Sequence, residues 1–355
     1  MFLMASDTTI SSSSCAGPVS EERKQGLAYI HVEQLSKKFS DKPDSLGLVD
    51  LSFGIEEGKI TAIIGESGSG KSTLLRLIYG LLKPDAGEIR FRGWKVPTPE
   101  EKLIPGHEAM RLVSQHFDDL NTYANVWDNV ASRLSNTNLQ EKHDKTEIAL
   151  NSLGILRLAK QRVVDLSGGE KQRVAIARAL VSGPEVLLMD EPFNQVDASF
   201  RDHLQRDIRK IVDEMGLTVV LVSHDPAEVL ALSDAILILK SGKLMAAGAP
   251  AAIYNNPPNI YAASLLARSN ILTAEEVEPI MPEIAANEVI IHPEWIDLVP
   301  DANGDFVVES VLFKGFYEEV MVQYKNIRLR CINKNFTSYR VGERVQVKIL
   351  NFVLC

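Results

Sequence analysis

Residues 59–73 read KITAIIGESGSGKST, and this stretch decides the fold. Its first part, Lys59–Ile64, is a short apolar run ending at a glycine. Runs of that kind suit a strand buried on both faces of a mainly parallel sheet. From Lys71 to Leu82 the apolar residues Leu74, Leu75, Leu77, Ile78 and Leu81 recur at helical spacing, and Pro84 and Gly87 stop the pattern. Between strand and helix lies a G-x4-G-K-S loop: Gly65, Glu66, Ser67, Gly68, Ser69, Gly70, Lys71 and Ser72, with Thr73 following. Glycines let the backbone wrap closely and turn its N–H groups toward phosphate oxygens. The start of the following helix favours an anion as well. Lys71 would reach the β- and γ-phosphates of a nucleotide, and Ser72 would give a hydroxyl to Mg2+. A chance glycine-rich turn would not come with a strand before it and a helix after it.

Outward from this loop the chain keeps alternating. Strand-like runs fall at Tyr29–Leu35, Asp50–Ile55, Glu185–Met189 and Leu217–Ser223, and helical patterns at Glu170–Val181 and Ser199–Glu214. That alternation predicts an α/β architecture. The stretch from about Leu120 to Val164 is polar, helical in pattern and without buried strands, so a helical insertion is expected at about 116–166. Beyond residue 250 the pattern changes. Tyr254–Pro258 (YNNPP) reads as loop, and short alternating strands follow from about Val289. Val320, Val322 and Tyr324, then Ile327, Leu329 and Cys331, then Val345, Val347 and Ile349 each alternate with more polar neighbours, between turn signals at Asn303-Gly304, Lys325-Asn326 and Gly342. Such strands predict a small β-barrel. The expected division is a tail at 1–26, a first domain at 27–250, a linker at 251–285 and a second domain at 286–355.

Composition narrows the classes. Of 355 residues 45% are apolar and 24% charged, an ordinary globular balance, and the net charge of -9 argues against broad binding to nucleic acid. Cys15, Cys331 and Cys355 are too few and scattered for a disulfide framework or a zinc site, which suits a reducing cytoplasm. No apolar run approaches the roughly 20 residues of a membrane-spanning helix. Met1–Ala5 is too short for a signal-peptide core and Ser11–Ser14 is polar, so residues 1–26 read either as a disordered tail or as the product of a mis-assigned start.

A second chemical element is Glu185–Pro192, an apolar strand ending in Asp190 and Glu191. Alone it would be a solvated strand end. Beside a phosphate loop, Asp190 would hold Mg2+ and Glu191 would polarise the attacking water. A third is Leu166, Ser167, Gly168, Gly169, Glu170, Lys171, Gln172, Arg173. Two glycines and a serine at a helix start make another anion site. An ordinary serine N-cap accounts for Ser167 but not for the double glycine. One nucleotide cannot easily use two such sites from one chain.

At this point the sequence resembles the ABC ATPase family, whose LSGGE/Q signature matches Leu166–Glu170. The resemblance implies a P-loop (RecA-like) ABC ATPase domain with a helical subdomain, in which the signature acts in trans on ATP held by a partner's phosphate loop. Other positions match in order. Gln115 (LVSQHF) resembles the loop glutamine that senses the γ-phosphate, touches the metal and contacts the permease; His224 (LVSHD) resembles the switch histidine; Asp197 (NQVD) resembles the D-loop aspartate; Phe39 (KKFS) stands where an aromatic stacks on adenine. A lone histidine after a strand is more often structural, and Phe39 by itself suits the core better than a ligand. Two departures stand out: Asn194 replaces the usual D-loop serine, and the stretch from Phe117 to Tyr123 lacks the proline usual in importers.

Gly248–Tyr254 (GAPAAIY), Ser269–Leu272, Ile291–Glu294 and Phe313–Phe316 resemble the end of importer ATPases and their small all-β OB-like (TOBE) domain, with His292 where arginine is frequent. That likeness implies an importer ATPase of the type serving sugars, polyamines, ferric iron, sulfate or molybdate. Its barrel either regulates or only enlarges the dimer interface. The implied cofactors are ATP and Mg2+. The implied partners are a second ATPase subunit, the same or similar, integral membrane permease subunits and an external solute-binding protein, with no nucleic acid. The implied place is the cytoplasmic face of the inner membrane. An exporter or lipid-handling ATPase, or an ABC protein acting on ribosomes or DNA, would share the nucleotide site; the barrel weighs against the former. A single cassette, the lack of a heptad run and the acidic charge weigh against the latter.

Overall fold

The computed structural model describes residues 28–39, 47–115, 117, 119–284, 287–334 and 338–354. The expected tail at 1–26 lies outside these residues. The centre is a six-stranded sheet in the order Lys243–Gly248, Ala235–Lys240, Ile60–Ile64, Thr218–Ser223, Val186–Asp190, Met110–Val113. The last five run parallel, and Lys243–Gly248 closes one edge as an antiparallel hairpin arm. Every residue of Ile60–Ile64 and of Thr218–Ser223 is buried, which is why these runs read as continuously apolar.

The two faces of the sheet bury different partners. Ile63 points into a core formed with Leu74, Leu75, Leu77 and Ile78 of the helix Lys71–Tyr79 and with Ile30, Val32 and Leu35 of a second, antiparallel sheet. That sheet has the order Leu48–Ile55, Ile30–Lys37, Ala86–Phe91, Trp94–Lys95. Ile60, Ala62 and Ile64 point the other way, into a core shared with Val174 and Ile176 of the helix Gly168–Leu180 and Leu204 and Ile208 of the helix Ala198–Met215. The phosphate-loop helix is shorter than its apolar pattern predicts. It ends at Tyr79 because Gly80 turns left-handed at φ 81° and gives its N–H to the Arg76 and Leu77 carbonyls, so Leu81 falls outside.

The stretch 120–165 holds the helices Val126–Ala131 and Leu139–Ser152 and two short 3-10 turns, Leu156–Leu158 and Val163–Asp165. Buried Asn129 fastens it: its amide donates to the Asn121 and Asn125 carbonyls at 2.9 Å each, and Arg178 of the following helix donates to its carbonyl at 2.6 Å.

The stretch 251–285, expected as a linker, is folded on both sides of a seam. The helices Pro250–Asn255 and Ile260–Ala267 give Ile253, Ala262 and Leu266 to the core of the first domain. The strand Asn270–Thr273 pairs with Glu288–Ile291, and Leu272, Val277 and Met281 join the core of the second. The seam is pinned by His292, which is 1% exposed. Its Nε2 donates to the Tyr254 carbonyl at 2.6 Å, its Nδ1 meets the Ser269 hydroxyl at 2.6 Å, and its ring stacks on Trp295.

The second domain is all-β. A five-stranded antiparallel sheet has the order Ile296–Pro300, Arg344–Ile349, Phe306–Phe313, Glu318–Tyr324, Ile327–Asn333, beside a three-stranded sheet of Asn270–Thr273, Glu288–Ile291 and Val353–Leu354. Val320, Val322, Ile327, Leu329, Cys331 and Val345 are buried at every second position, whereas Val347 and Ile349 only flank the core. Among the described residues no helix is long and apolar enough to cross a membrane.

Candidate nucleotide site

Four adjacent parallel strands deliver the candidate residues to one edge of the central sheet. Ile60–Ile64 leads into the phosphate loop, Thr218–Ser223 into His224, Val186–Asp190 into Glu191, and Met110–Val113 runs toward Gln115. Ligands of open α/β sheets bind at these carboxyl ends.

The phosphate loop is built to receive an anion. Gly70, at φ 101°, caps the helix Lys71–Tyr79 without a side-chain acceptor, and the first turn carries no acidic residue. The leading N–H groups of a helix have no partner within it, so a ligand is their natural complement. The Ser69 hydroxyl is buried with no hydrogen-bond partner among the described residues. Lys71 is 6% exposed and folds back on its own loop, donating to the Gly65 and Glu66 carbonyls at 2.8 and 2.9 Å. Burial pushes its ammonium below the ordinary lysine value, while Glu191 and Asp190 pull it back up.

Ser72 donates to Asp190 Oδ1 at 2.9 Å, joining the loop to the end of the strand Val186–Asp190. Burial raises the Asp190 carboxyl above its usual range, the Ser72 hydrogen bond opposes this, and the Glu191 charge adds to it. A hydroxyl and a carboxylate in contact are hard oxygen donors that fit Mg2+, which is usually held by one or two carboxylates together with substrate phosphates. Among the described residues there is no group of three or more acidic, His or Cys side chains able to cage a metal alone. The donor set therefore fits an ion completed by nucleotide.

Glu191 is held tightly. Its backbone is left-handed at φ 51°, an uncommon conformation for a residue with a side chain, and its N–H donates to the Val222 carbonyl at 3.0 Å. Its side chain is 19% exposed. Gln115 Nε2 donates to Oε2 at 3.3 Å, and His224 Nδ1 stands 3.5 Å from Oε1. The Asn194 amide also donates to Oε2. Behind His224, the Ser223 hydroxyl donates to buried Glu228 at 2.6 Å, and Arg201 contacts Glu228 at 3.1 Å and Asp225 at 3.4 Å. Burial first raises the Glu228 carboxyl, and Ser223 and Arg201 lower it. Sequence reasoning misses this support and the Asn194 contact. Arg201 and Glu228 sit in helices where their charges read as solvated, and Asn194 is visible only as a departure from the family pattern.

The signature residues lie apart from the loop. Leu166 is buried, and Ser167 caps the helix Gly168–Leu180 by accepting from the Glu170 N–H at 3.3 Å. Glu170 answers by accepting from the Ser167 N–H at 3.1 Å. Gly168 must be glycine for space: a Cβ there would sit 2.8 Å from the Gln195 carbonyl oxygen. Ser167, Gly169 and Glu170 line one depression with Asp197 and Phe200. Among the described residues no hydrogen bond joins them to the phosphate loop; Gly168 instead lies against Gln195, whose amide donates to the Gln115 carbonyl at 3.3 Å. Phe39 is 57% exposed, so it is not a core residue.

Known proteins are similar to this chain. Residues 48–194 match the family model of the ABC transporter. CbiO1 from Clostridium perfringens, part of the ABC transporter complex CbiONQ, is similar at 28% identity with a TM-score of 0.60, over 73% of this chain and 97% of that one. The ATP-binding cassette MJ0796, in a dimeric post-hydrolysis state bound to ADP and Pi, is similar at 27% identity with a TM-score of 0.55, over 62% of this chain and 98% of that one. Residues 48–194 carry an ABC transporter ATP-binding domain, and the chain is an ATPase.

Proposed function

We propose that this chain is the motor subunit of an ABC importer, closing as a head-to-tail dimer on two ATP molecules and driving a separate membrane permease. The observation that carries this reading is the separation just described: one carboxylate-lined phosphate loop and one glycine-lined helix start, each half a site. Opposed copies would complete each other. The dimer of the similar MJ0796 cassette supports the mode.

In this reading the N–H groups of Gly65–Thr73 and the Lys71 ammonium hold the β- and γ-phosphates. Lys71 leaves the Gly65 and Glu66 carbonyls to do so. Ser72, Asp190 and Gln115 would hold Mg2+, which when bound neutralises phosphate charge. Glu191 accepts a proton from water as the water oxygen bonds to the γ-phosphorus; the bond from that phosphorus to the β-γ bridging oxygen breaks, giving ADP and phosphate. His224 faces the γ-phosphate from beside Glu191, and Phe39 offers a ring face to adenine. Ser167, Gly168 and Gly169 of the partner cap the γ-phosphate, with Asp197 at the joint. The difference in ATP affinity between open and closed dimers is what moves the permease.

The all-β domain is read as the OB-like (TOBE) module of importers, and the subunit as peripheral on the cytoplasmic face of the membrane. An external binding protein would deliver the solute. Membership of CbiO1 in a CbiONQ complex supports a motor with separate membrane partners. The test is Glu191→Gln. Removing the proton acceptor should cut kcat by about a thousandfold while ATP still binds, and the variant should accumulate as a closed dimer on gel filtration. Near-normal turnover would contradict the assignment.

A further inference from the structure

The structure assigns Asn194 as a positioning residue for the hydrolytic carboxylate: its side-chain amide fixes the plane of Glu191 during attack. The assignment rests on the reading of Glu191 as the proton acceptor.

Glu191, Pro192, Phe193 and Asn194 form a turn in which the Asn194 N–H points back to the Glu191 carbonyl at 3.4 Å. Phe193, 1% exposed, anchors the turn in the core. Asn194 itself is exposed, so packing does not demand its side chain. That side chain instead reaches back three residues to Glu191 Oε2. The next residue secures the turn from outside: Gln195 Nε2 donates to the Gln115 carbonyl at 3.3 Å, and the Gln195 carbonyl lies against Gly168.

Three groups hold the carboxylate, and they are not equivalent. Gln115 and Asn194 both address Oε2, and His224 addresses Oε1. Gln115 contacts at 3.3 Å, and the proposed function also engages its side chain at the phosphate and the metal. That leaves Asn194 on Oε2 and Nδ1 of His224 beside Oε1, with the other ring nitrogen of His224 the one that faces the γ-phosphate. Two contacts on two different oxygens fix a carboxylate plane; one contact leaves it free to rotate about the terminal bond, which is a broad, soft torsion. General-base attack depends on that orientation, since rates fall steeply as reacting groups leave their aligned geometry. A shorter serine at this position would carry a donor but not the reach of an amide.

The test is steady-state ATP hydrolysis by the full chain carrying Asn194→Ala, Asn194→Asp and Asn194→Ser, each alone and with Glu191→Gln, with ATP binding measured on the same samples. Losing one hydrogen bond to a charged group should lower kcat about tenfold and leave KM within about twofold. Asn194→Asp, which replaces the donor with a like charge, should fall further, and Asn194→Ser should recover part of the loss. With Glu191→Gln already present, Asn194→Ala should change the residual rate no further, because the group it positions is gone. A raised KM at unchanged kcat would overturn the assignment, as would the same fractional loss in both backgrounds. If Glu191→Gln alone hydrolyses ATP at a near-normal rate, it is the proton-acceptor reading that fails; if Glu191→Gln stalls while Asn194→Ala is silent or additive, only the role of Asn194 fails.

Discussion

Two helices of the first domain begin at glycines, and their starts are finished in opposite ways. Lys71–Tyr79 begins at Gly70 with no capping side chain, no acidic residue in its first turn and a buried, unpartnered hydroxyl beside it. Gly168–Leu180 begins at Ser167 with a reciprocal capping box to Glu170. The first start lacks an acceptor and so depends on a ligand for its N–H groups. The second supplies its own carboxylate and folds complete without one. A helix start left open has N–H groups available to an anion; a helix start that caps itself has part of that demand already met.

The sharpest way to break this comparison is to damage one glycine site at a time. Lys71→Ala removes a charged donor from the open start, so the Kd for ATP should rise by about a hundredfold, a loss of roughly 3 kcal/mol. Gly169→Val should leave that Kd within about threefold, yet turnover should be lost, because a side chain there, which meets only ordinary contacts within its own chain, would hold a partner's phosphate off the helix start. Equilibrium binding of a fluorescent ATP analogue together with phosphate release checks both. Equal weakening of binding by both changes would erase the distinction between the two starts.

A smaller effect sharpens the same contrast. Ser167→Ala removes a helix cap and should cost about 1 kcal/mol of stability, seen as a lower urea midpoint without nucleotide. No comparable cap exists at Gly70, so its start can gain stability only from ligand. Excess ATP should therefore raise the urea midpoint of the parent chain and of Ser167→Ala alike, and should stabilise Lys71→Ala by up to roughly 3 kcal/mol less at the same concentration.

The smallest effect concerns pH. Burial raises the native Asp190 carboxyl above 3.8, its ordinary value, so the native state holds that proton more firmly than the unfolded chain. Stability is therefore lost as pH rises from the unfolded value through the native one, and the penalty is complete above it. Asp190→Asn should stabilise the nucleotide-free protein at neutral pH, raising Tm by roughly 2 °C, and the gain should vanish below about pH 4. A lower Tm for Asp190→Asn at neutral pH would show that the Ser72 contact outweighs burial.

Legibility followed the same physics. The strands buried on both faces were readable to within a residue or two, since Ile60–Ile64 and Thr218–Ser223 are apolar at nearly every position. The helix starts at Lys71 and Gly168 were readable because glycine and serine spacing marks them locally. The stretch 251–285 was not. Its helices are short, Pro250–Asn255 and Ile260–Ala267, and hold by packing Ala262 and Leu266 into a core made by distant strands. The strand Asn270–Thr273 exists only through its pairing with Glu288–Ile291. Asn194 was noticed as a departure, but its contact with Glu191 depends on the left-handed backbone of Glu191, which residue identity alone does not announce.

If the phosphate loop of one copy and the signature of another close on the same phosphate, mixed dimers will show it. Lys71→Ala and Gly169→Val chains, each inactive alone, should regain turnover when combined, because the mixed dimer carries one site with both defects and one site with neither. Recovery approaching half the parent rate per mixed dimer is the predicted result. A mixture no more active than the sum of its two inactive parents would contradict it.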